Sequence, residues 1–428
     1  MNTVPAPAGF TWPRRLLGGP GHEAEPSFTR APEAPPTNRL VVAIGLVIWV
    51  ALAAGVWATA GPRMAAVLGL GLALGVTLFH SRFGFTGAWR QLVAVGQGAA
   101  LRAHMLMLAV ATVLFAIILS TGASLTGTAS PQLGPVGFPL IVGSFLFGVG
   151  MQLGGSCASG TLFAVGSGQT TIVYTLVGFV LGSLASIGTF TFWTKTVPQG
   201  PVVNLGAILG YPGALALSLV VMGAIVAATY AVGRRRNPPP VDAPPTDHGW
   251  WRVLRGSWPL WVGAVLLGVL NAAVLVVSGQ PWGITSAFGL WGSKILGAFG
   301  ADPASWAYFQ VPANAKSLAG SVLADRISVL DFGIMAGALV ASALGGAFVL
   351  HRSVPVKTIV AALLGGILMG YGARLAGGCN IGAYFSGIAS FSLHGWVWGV
   401  MAIVGTVAGL ALRPLFGLSN PKPSDSRC

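Results

Sequence analysis

Residues 148–163 read GVGMQLGGSCASGTLF, and residues 370–385 read GYGARLAGGCNIGAYF. The two stretches align without a gap at an offset of 222 residues, and 7 of their 16 positions are identical. They share the pattern G-x-G-x-[Q/R]-L-x-G-x-C-x-x-G-x-x-F. A match of this length within one chain indicates an internal repeat.

A weaker similarity precedes each copy of this Cys motif. Residues 83–89 read FGFTGAW and residues 282–288 read WGITSAF. Both belong to apolar stretches, at about 85–101 and 284–299, that glycine interrupts and that we interpret as re-entrant or interfacial segments. Each half of the chain is therefore predicted to contain a span, a re-entrant segment, two spans, a Cys loop and a closing span. The first half has an extra span at each end.

The composition indicates a polytopic integral membrane protein. Of the 428 residues, 54% are hydrophobic and only 7% are charged, whereas a soluble domain carries about 25% charged residues. This excludes an ordinary cytosolic enzyme and a disordered protein. The net charge of +14 could indicate a nucleic-acid partner, but basic cytoplasmic loops explain it better. We expect the lipid bilayer as a partner and no nucleic acid.

We predict an all-α polytopic membrane protein with about ten transmembrane helices, inverted repeats and re-entrant half-helices. A first membrane repeat with extra flanking spans occupies 40–233, and a second, inverted repeat occupies 258–412. A cytoplasmic linker at 234–257 separates them, and the cytoplasmic tails are 1–39, which we expect to be disordered, and 413–428. The predicted spans are 40–60, 62–79, 104–121, 137–153, 170–190, 205–233, 258–278, 328–350, 356–376 and 393–412.

The basic residues predict the orientation of the chain. Ten spans place both termini on one side of the membrane, and 17 of the 23 Lys and Arg residues fall on that side. The positive-inside rule therefore predicts an inner (plasma) membrane protein with both termini in the cytoplasm. The chain crosses the membrane five times from the span at 62–79 to its counterpart at 258–278. An odd number of crossings inverts the second repeat, as in transporters that bind substrate between inverted repeats near the midplane.

Glycines around each cysteine predict broken helices at membrane depth, which are tolerated where they line a cavity. Residues 158–165 and 380–387 would then form half-helices whose free N–H groups favour an anion. A buried cysteine often has only a packing role, but matched positions in two repeats favour function. The candidate pathway residues are Cys157, Cys379, Arg374, Gln152, Ser156, Ser159 and Asn380. The glycines predicted to shape the pathway are Gly154, Gly155, Gly160, Gly377, Gly378 and Gly382.

Few charged residues fall inside the predicted spans. Arg374 is one, and charge at membrane depth usually faces a cavity, although a snorkelling or structurally paired arginine is the alternative. Gln152 holds the matching place before Cys157. Asp331, at the start of a span, is predicted to be a helix cap or an ion-pair partner. No carboxylate lies in the middle of a predicted span, so the sequence indicates no carboxylate proton relay. A dianion that enters against a potential of 100 mV faces about 4.6 kcal/mol. Coupled protons or ions, or consumption of the substrate inside, must offset that energy.

The paired Cys motif resembles that of the YeeE/YedE family of sulfur-compound transporters, whose members include thiosulfate importers. The resemblance covers about 60–412. It implies an inverted-repeat membrane fold, uptake of thiosulfate or a related small sulfur anion, and thiols that hold the substrate by weak S–H···S hydrogen bonds. Residue by residue, this carries over to Cys157 and Cys379. Family members can carry a further pathway cysteine, and here the corresponding stretch, 81–85, contains none.

Three functions remain open at this stage. The first is a permease for a sulfur-containing anion, thiosulfate above all, with a cytoplasmic sulfur-carrier protein left open as a partner. The second is a membrane thiol enzyme, a sulfurtransferase or redox relay, which a stable persulfide or a disulfide between the two cysteines would favour. The third is a soft-metal or neutral-solute channel. Because the chain has no CxxC pair and no visible cofactor motif, we expect no cofactor, no metal site and no enzyme.

Overall fold

A computed structural model describes residues 34–238, 246–247, 249–350 and 353–422. Within these ranges the chain is helical, with two isolated β-bridges. The α-helices are α1 (Arg39–Ser81), α2 (Phe85–Val95), α3 (Ala99–Thr121), α4 (Phe138–Leu153), α5 (Ala158–Gly166), α6 (Thr170–Gly188), α7 (Phe190–Lys195), α8 (Leu205–Arg236), α9 (Trp251–Arg255), α10 (Leu260–Ser278), α11 (Ser286–Ala298), α12 (Pro312–Ala319), α13 (Arg326–Leu344), α14 (Val356–Leu375), α15 (Ser386–Ala389) and α16 (Leu393–Leu412). A π-helix, Asn380–Phe385, precedes α15. Short 3₁₀ turns occupy Pro303–Ser305, Ala307–Gln310 and Arg413–Phe416.

Nine stretches of the described chain are long and apolar enough to cross a membrane, since about 17–25 apolar residues span the hydrocarbon core. This confirms an all-α polytopic membrane protein. The first stretch, Arg39–Val95, is 57 residues long and covers both spans that the sequence predicts at 40–60 and 62–79.

The long helix α1 is a hairpin of two arms that meet at Gly61. Gly61 has φ 80° and ψ −177° and is followed by Pro62, a pair that interrupts helical hydrogen bonding. Before the break, Gly45 lies beside Val340 and Gly55 lies beside Leu323, so this arm runs antiparallel to α13. After the break, Gly71 contacts Leu330 and Gly75 contacts Ile334, so the second arm runs parallel to α13. The two predicted spans are therefore the arms of this hairpin.

The helices that carry the two Cys motifs, α4 and α14, pack closely and run antiparallel. A Cβ atom on Gly143 would lie 2.6 Å from the carbonyl oxygen of Gly372, and one on Gly150 would lie 2.6 Å from that of Gly365. The helices approach so closely because these positions have no side chain. Since α4 and α14 are the same element of the two repeats, their antiparallel packing is what inverted repeats require. The two-fold relation between the whole halves stays a prediction.

The remaining contacts interleave the two halves. Helix α6 packs on α14, and α16 packs on α4 in the same way. Likewise, α1 packs on α13, and α10 packs on α3. Each such pair joins one element from the first half with one from the second. The cores of the two repeats are therefore a single buried unit, with the Cys loops inside it.

Several segments differ from the sequence prediction or lie outside the described residues. The predicted re-entrant stretches are short helices, α2 and α11, and α13 ends at Leu344 rather than at 350. Thr37 Oγ1 donates to the Leu344 carbonyl and Asn38 N to that of Ala343, so the end of the predicted N-terminal tail packs on α13. Residues 1–33 and 423–428 of the predicted tails, and 239–245 and 248 of the linker, lie outside the described ranges.

Candidate functional site

Both cysteines stand at the start of the helix that follows a break. Helix α4 ends at Leu153, the chain turns through Gly155 (φ 77°), and Cys157 caps the N-terminus of α5. Helix α14 ends at Leu375, and Cys379 caps the π-helix after the turn. In that second turn Gly377 has φ 70° and Gly378 has φ 146°, conformations that a residue with a Cβ atom rarely adopts. The breaks lie where the glycines predict them.

The two thiols lie inside the protein. Cys157 is 1% exposed and Cys379 is 0% exposed, and both are free cysteines of one hydrophobic cluster. The Sγ atom of Cys157 is 3.6 Å from the hydroxyl of Ser159, and the N–H of Ile381 donates to the Cys379 Sγ at 3.4 Å. Helix α5 also contacts the π-helix. The structure therefore brings the two Cys loops together in the core.

The two loops differ in what lies against Gly160 and against its counterpart Gly382. A Cβ atom on Gly160 would clash with the hydroxyl of Ser156 and lie 3.3 Å from the Cys157 Sγ, so glycine leaves room for that serine over the thiol. On the other side, a Cβ atom on Gly377 or Gly382 would meet no described atom within 4 Å. Ser156 therefore lies close to the Cys157 thiol, whereas Gly377 and Gly382 border open space; Gly155 and Gly377, at matching positions of the two loops, are both exposed.

That open space is a polar vestibule. A cavity of about 290 Å³ reaches the Cys379 loop. It shares Gln280 and Arg326 with a wider cavity of about 620 Å³, to which Lys316 also contributes. We call the two together the vestibule. The lining residues of the inner cavity that matter here are Arg326, Arg374, Gln280, Gly377, Gly378 and Gly382.

Two arginines place positive charge in the vestibule. Arg374 lies in the last turn of α14, and its guanidinium stacks 4.5 Å from the ring centre of Tyr308. Arg326 donates to the carbonyl of Pro281 at 2.9 Å and to the side chain of Gln280 at 3.1 Å. The sequence analysis singled out Arg374 but treated Arg326 as an ordinary loop charge. Neither guanidinium forms an ion pair with a carboxylate in the described chain, so both can attract an anion.

Gln152 matches Arg374 in the repeat but has a different environment. It is 0% exposed, and its amide oxygen accepts a hydrogen bond from Arg90 Nε at 3.0 Å. Its amide nitrogen lies 3.4 Å from the Thr86 carbonyl, and its own carbonyl accepts from Arg413 at 2.6 Å. Gln152 therefore joins three helices and holds a second arginine pair beside the Cys157 motif.

The sequence analysis missed this second pair. Arg90 and Arg413 were counted as charges of cytoplasmic loops, yet Arg413 is buried at 7% exposure. The position of Arg90 within an apolar re-entrant stretch was the available signal. The contact of Arg413 with Gln152 joins residues far apart in the chain, and no local pattern indicates it.

Two buried polar side chains close to the thiols have no hydrogen-bond partner among the described residues. They are Asn380, directly after Cys379, and Asp331 on α13. The sequence prediction that Asp331 is a cap or an ion-pair partner is wrong. Helix α13 is capped by Asp325, whose carboxylate accepts from Ser328 N at 2.9 Å. The unused donors and acceptors of Asn380 are available to a ligand.

An aromatic cluster holds the Cys379 loop in place. Trp398 Nε1 donates to the carbonyl of Gly378 at 3.1 Å. The Trp398 ring packs 6.1 Å from the ring of Tyr384 and 5.3 Å from that of Phe147. Trp89 of α2 completes the cluster, 5.7 Å from Tyr384. Since these residues lie on separate helices, the sequence did not indicate their association.

Comparison with known proteins shows the family of the chain. The thiosulfate transporter TsuA of Spirochaeta thermophila is 26% identical over 369 residues, which are 80% of this chain and 98% of that protein. The thiosulfate transporter TsuA of Escherichia coli is 26% identical over 351 residues, 78% of this chain and 90% of the relative. The probable transporter YedE of Escherichia coli is 31% identical over 173 residues, 39% of this chain and 42% of the relative. The family described as sulphur transport matches residues 80–408, and the chain belongs to that family of sulfur-compound transporters.

Proposed function

We propose that this transporter is an inner-membrane permease that imports a sulfur-containing anion, thiosulfate, along a path through Cys379 and Cys157. The observation that carries the proposal is the pair of buried thiols, each capping a half-helix, with an arginine-lined vestibule leading to one of them. The names of the TsuA relatives support thiosulfate as the anion.

The vestibule explains how an anion would enter. Arg374 and Arg326 line the inner cavity and supply positive charge at its wall. A cleft lined by one sign of charge raises the local concentration of the opposite ion. Beyond the arginines, Gly377 and Gly382 leave the path to Cys379 free of side chains. The anion would therefore lose part of its hydration shell while still facing guanidinium groups.

The two Cys loops would hold the anion beyond the vestibule, in the core of the protein. The thiol of Cys379 and the unpartnered amide of Asn380 are donors in a buried setting, and S–H is a weak donor. Weak donors suit a permease, because a substrate held too tightly would not leave. On the far side Cys157, Ser156 and Ser159 offer the matching thiol and two hydroxyls. Gly154, Gly155 and Gly160 would let that loop open.

On the proposed exit side, polar side chains lie close to the Cys157 motif. Ser156 covers Gly160, and Gln152 holds Arg90 by a hydrogen bond. We infer that the Cys157 loop rearranges when the anion leaves, as alternating access would require. With both termini in the cytoplasm, the open vestibule would face outward.

A growth test decides which anion is carried. A bacterial strain without its own sulfur importers would express this chain on thiosulfate, sulfite or sulfate as sole sulfur source. We expect growth on thiosulfate only. Growth on sulfate alone would contradict the proposed substrate while leaving the sulfur-transport family intact. A cytoplasmic sulfur-carrier protein that consumes the imported anion is the partner we propose, since consumption would keep net entry favourable.

The alternative of a membrane thiol enzyme is not supported. The family and the names of the relatives indicate a transporter and not an enzyme. A redox relay would also need the two thiols to approach each other as a disulfide, whereas the structure has both as free thiols.

A further inference from the structure

Asp331 is a carboxyl group with no apparent partner in the core of the protein. It lies in the second turn of α13 and is 0% exposed. Neither of its carboxyl oxygens has a hydrogen bond or an ion pair with any residue that the structure describes. An isolated carboxylate is very costly in such surroundings, and a group in this position takes up a proton instead.

The position of Asp331 connects the vestibule with the thiols. Arg326, at the start of α13, lines the vestibule, and Asp331 lies five residues deeper, about 7.5 Å along the helix axis. Helix α13 packs on α5, which follows Cys157, and α5 contacts the π-helix that follows Cys379. A proton on Asp331 would therefore sit between the entrance and the proposed anion site.

The charged groups around α13 leave Asp331 without a fixed counter-ion. On α13 itself, Asp325 caps the helix and Arg326 binds Pro281 and Gln280. Lys294 of α11 donates to the carbonyls of Leu318 and Gly320. Helix α5 carries Cys157 as its cap and no other titratable group. The titratable groups on the other two helices that pack on α13 are Arg39, Arg63 and His80 of α1 and Arg252 and Arg255 of α9.

We propose that Asp331 carries the proton of a proton-coupled uptake, an inference that rests on the proposed permease function. In the outward-open conformation its carboxylate takes a proton from vestibule water. The anion then occupies the site beside a neutral carboxyl group, because a second negative charge there would repel it. After the change to the inward-open conformation, the carboxyl O–H gives the proton to cytoplasmic water and the anion leaves. One proton and one anion enter in each cycle, and no bond of the substrate changes.

The test uses the purified full chain in proteoliposomes with the membrane potential clamped at zero. Thiosulfate counterflow, an exchange without net movement, measures the anion pathway alone. Accumulation of thiosulfate under a gradient of one pH unit, acidic outside, measures the coupling of uptake to protons. A pH-sensitive dye trapped inside the proteoliposomes reports the pH of the lumen. For wild type we expect counterflow, a roughly tenfold higher accumulation ratio per coupled proton, and acidification of the lumen when thiosulfate is added.

Two substitutions of Asp331, with a control at Asp325, test whether Asp331 carries the proton. Asp331→Asn should keep counterflow and lose both the tenfold response and the acidification. Asp325→Asn is the matched control: asparagine also caps helices well, so this variant should respond as wild type does. Asp331→Glu, which restores a carboxyl group, should regain part of the response.

The outcomes separate the inference from the proposed function. Wild-type counterflow without any effect of the pH gradient would overturn proton coupling and leave the permease standing. A full response in Asp331→Asn would place the proton elsewhere. Loss of counterflow in Asp331→Asn would also overturn the inference, since it assigns Asp331 the proton and not the anion path. No counterflow of any sulfur anion by wild type would overturn the permease and the inference together.

Discussion

At the scale of single residues, the site combines strong cationic groups at its entrance with weak donors at its centre. Arg374 and Arg326 attract an anion from the vestibule, and the thiols of Cys379 and Cys157 hold it only loosely. The order matters, because a guanidinium in the centre would bind an anion too strongly for rapid release. In this proposal the arginines capture the anion and the thiols let it pass.

Arg374→Gln should raise the KM for thiosulfate uptake by about tenfold and change the maximal rate less. The variant removes a charge at the entrance, and a charged hydrogen bond is worth about 1.5–3 kcal/mol, but Arg374 is half-exposed and part of that is lost to solvent. Lys316→Gln, at the rim of the wider cavity, is the control and should change the KM little. A fall in maximal rate at constant KM would contradict the role of Arg374 in capture.

At the scale of elements, glycine has two tasks. Around the cysteines it allows broken helices, with Gly155 and Gly378 in backbone conformations that other residues rarely adopt. Elsewhere it lets helices touch: a Cβ atom on Gly182 of α6 would clash with the Ile367 carbonyl of α14. The high glycine content, 63 of 428 residues, serves both purposes.

Gly182→Ala should destabilise the protein by about 1–3 kcal/mol, because the new methyl group forces α6 away from α14. Gly223→Ala in α8 is the matched control, since a Cβ atom there meets no described atom within 4 Å. Thermal unfolding in detergent should show a lower Tm for Gly182→Ala and an unchanged or higher Tm for Gly223→Ala. Equal Tm values for the two variants would show that the contact between α6 and α14 does not limit stability.

Comparison of the predicted and observed helices shows which features the sequence alone predicts. Hydropathy and glycine placement predict the spans, the two helix breaks and the half-helices, because these depend on local properties of the chain. The contact of Arg413 with Gln152 and the burial of Asp331 depend on how helices that are distant in the sequence pack together. The residues next to them in the sequence therefore do not predict these features. Asp325 and Asp331 both lie near the start of α13, and only the structure separates the cap from the buried carboxyl.

At the scale of the whole molecule, the two halves interlock around the Cys loops. Helices α4 and α14 run antiparallel through the centre, and each half packs its helices on those of the other. The vestibule reaches the Cys379 loop from one side of the molecule. The direction of transport then depends on which side of the membrane the vestibule faces.

Cys428 offers a direct test of orientation. A membrane-impermeant maleimide should label wild type in inside-out vesicles and not in right-side-out vesicles, because the positive-inside rule predicts both termini in the cytoplasm. Cys428→Ala should abolish the rapid labelling, since Cys157 and Cys379 are buried. Labelling of Cys428 from the outside would reverse the topology and turn the vestibule toward the cytoplasm.

The most direct measurement is uptake of ³⁵S-thiosulfate by cells that contain equal amounts of wild type, Cys157→Ala, Cys379→Ala or Cys428→Ala. Removing one buried donor from the anion path should lower uptake by about 5- to 150-fold, since a buried anion left without that donor loses about 1–3 kcal/mol of interaction. We predict this loss for Cys157→Ala and for Cys379→Ala and normal uptake for Cys428→Ala. Normal uptake by either of the first two variants would contradict a path through the paired thiols.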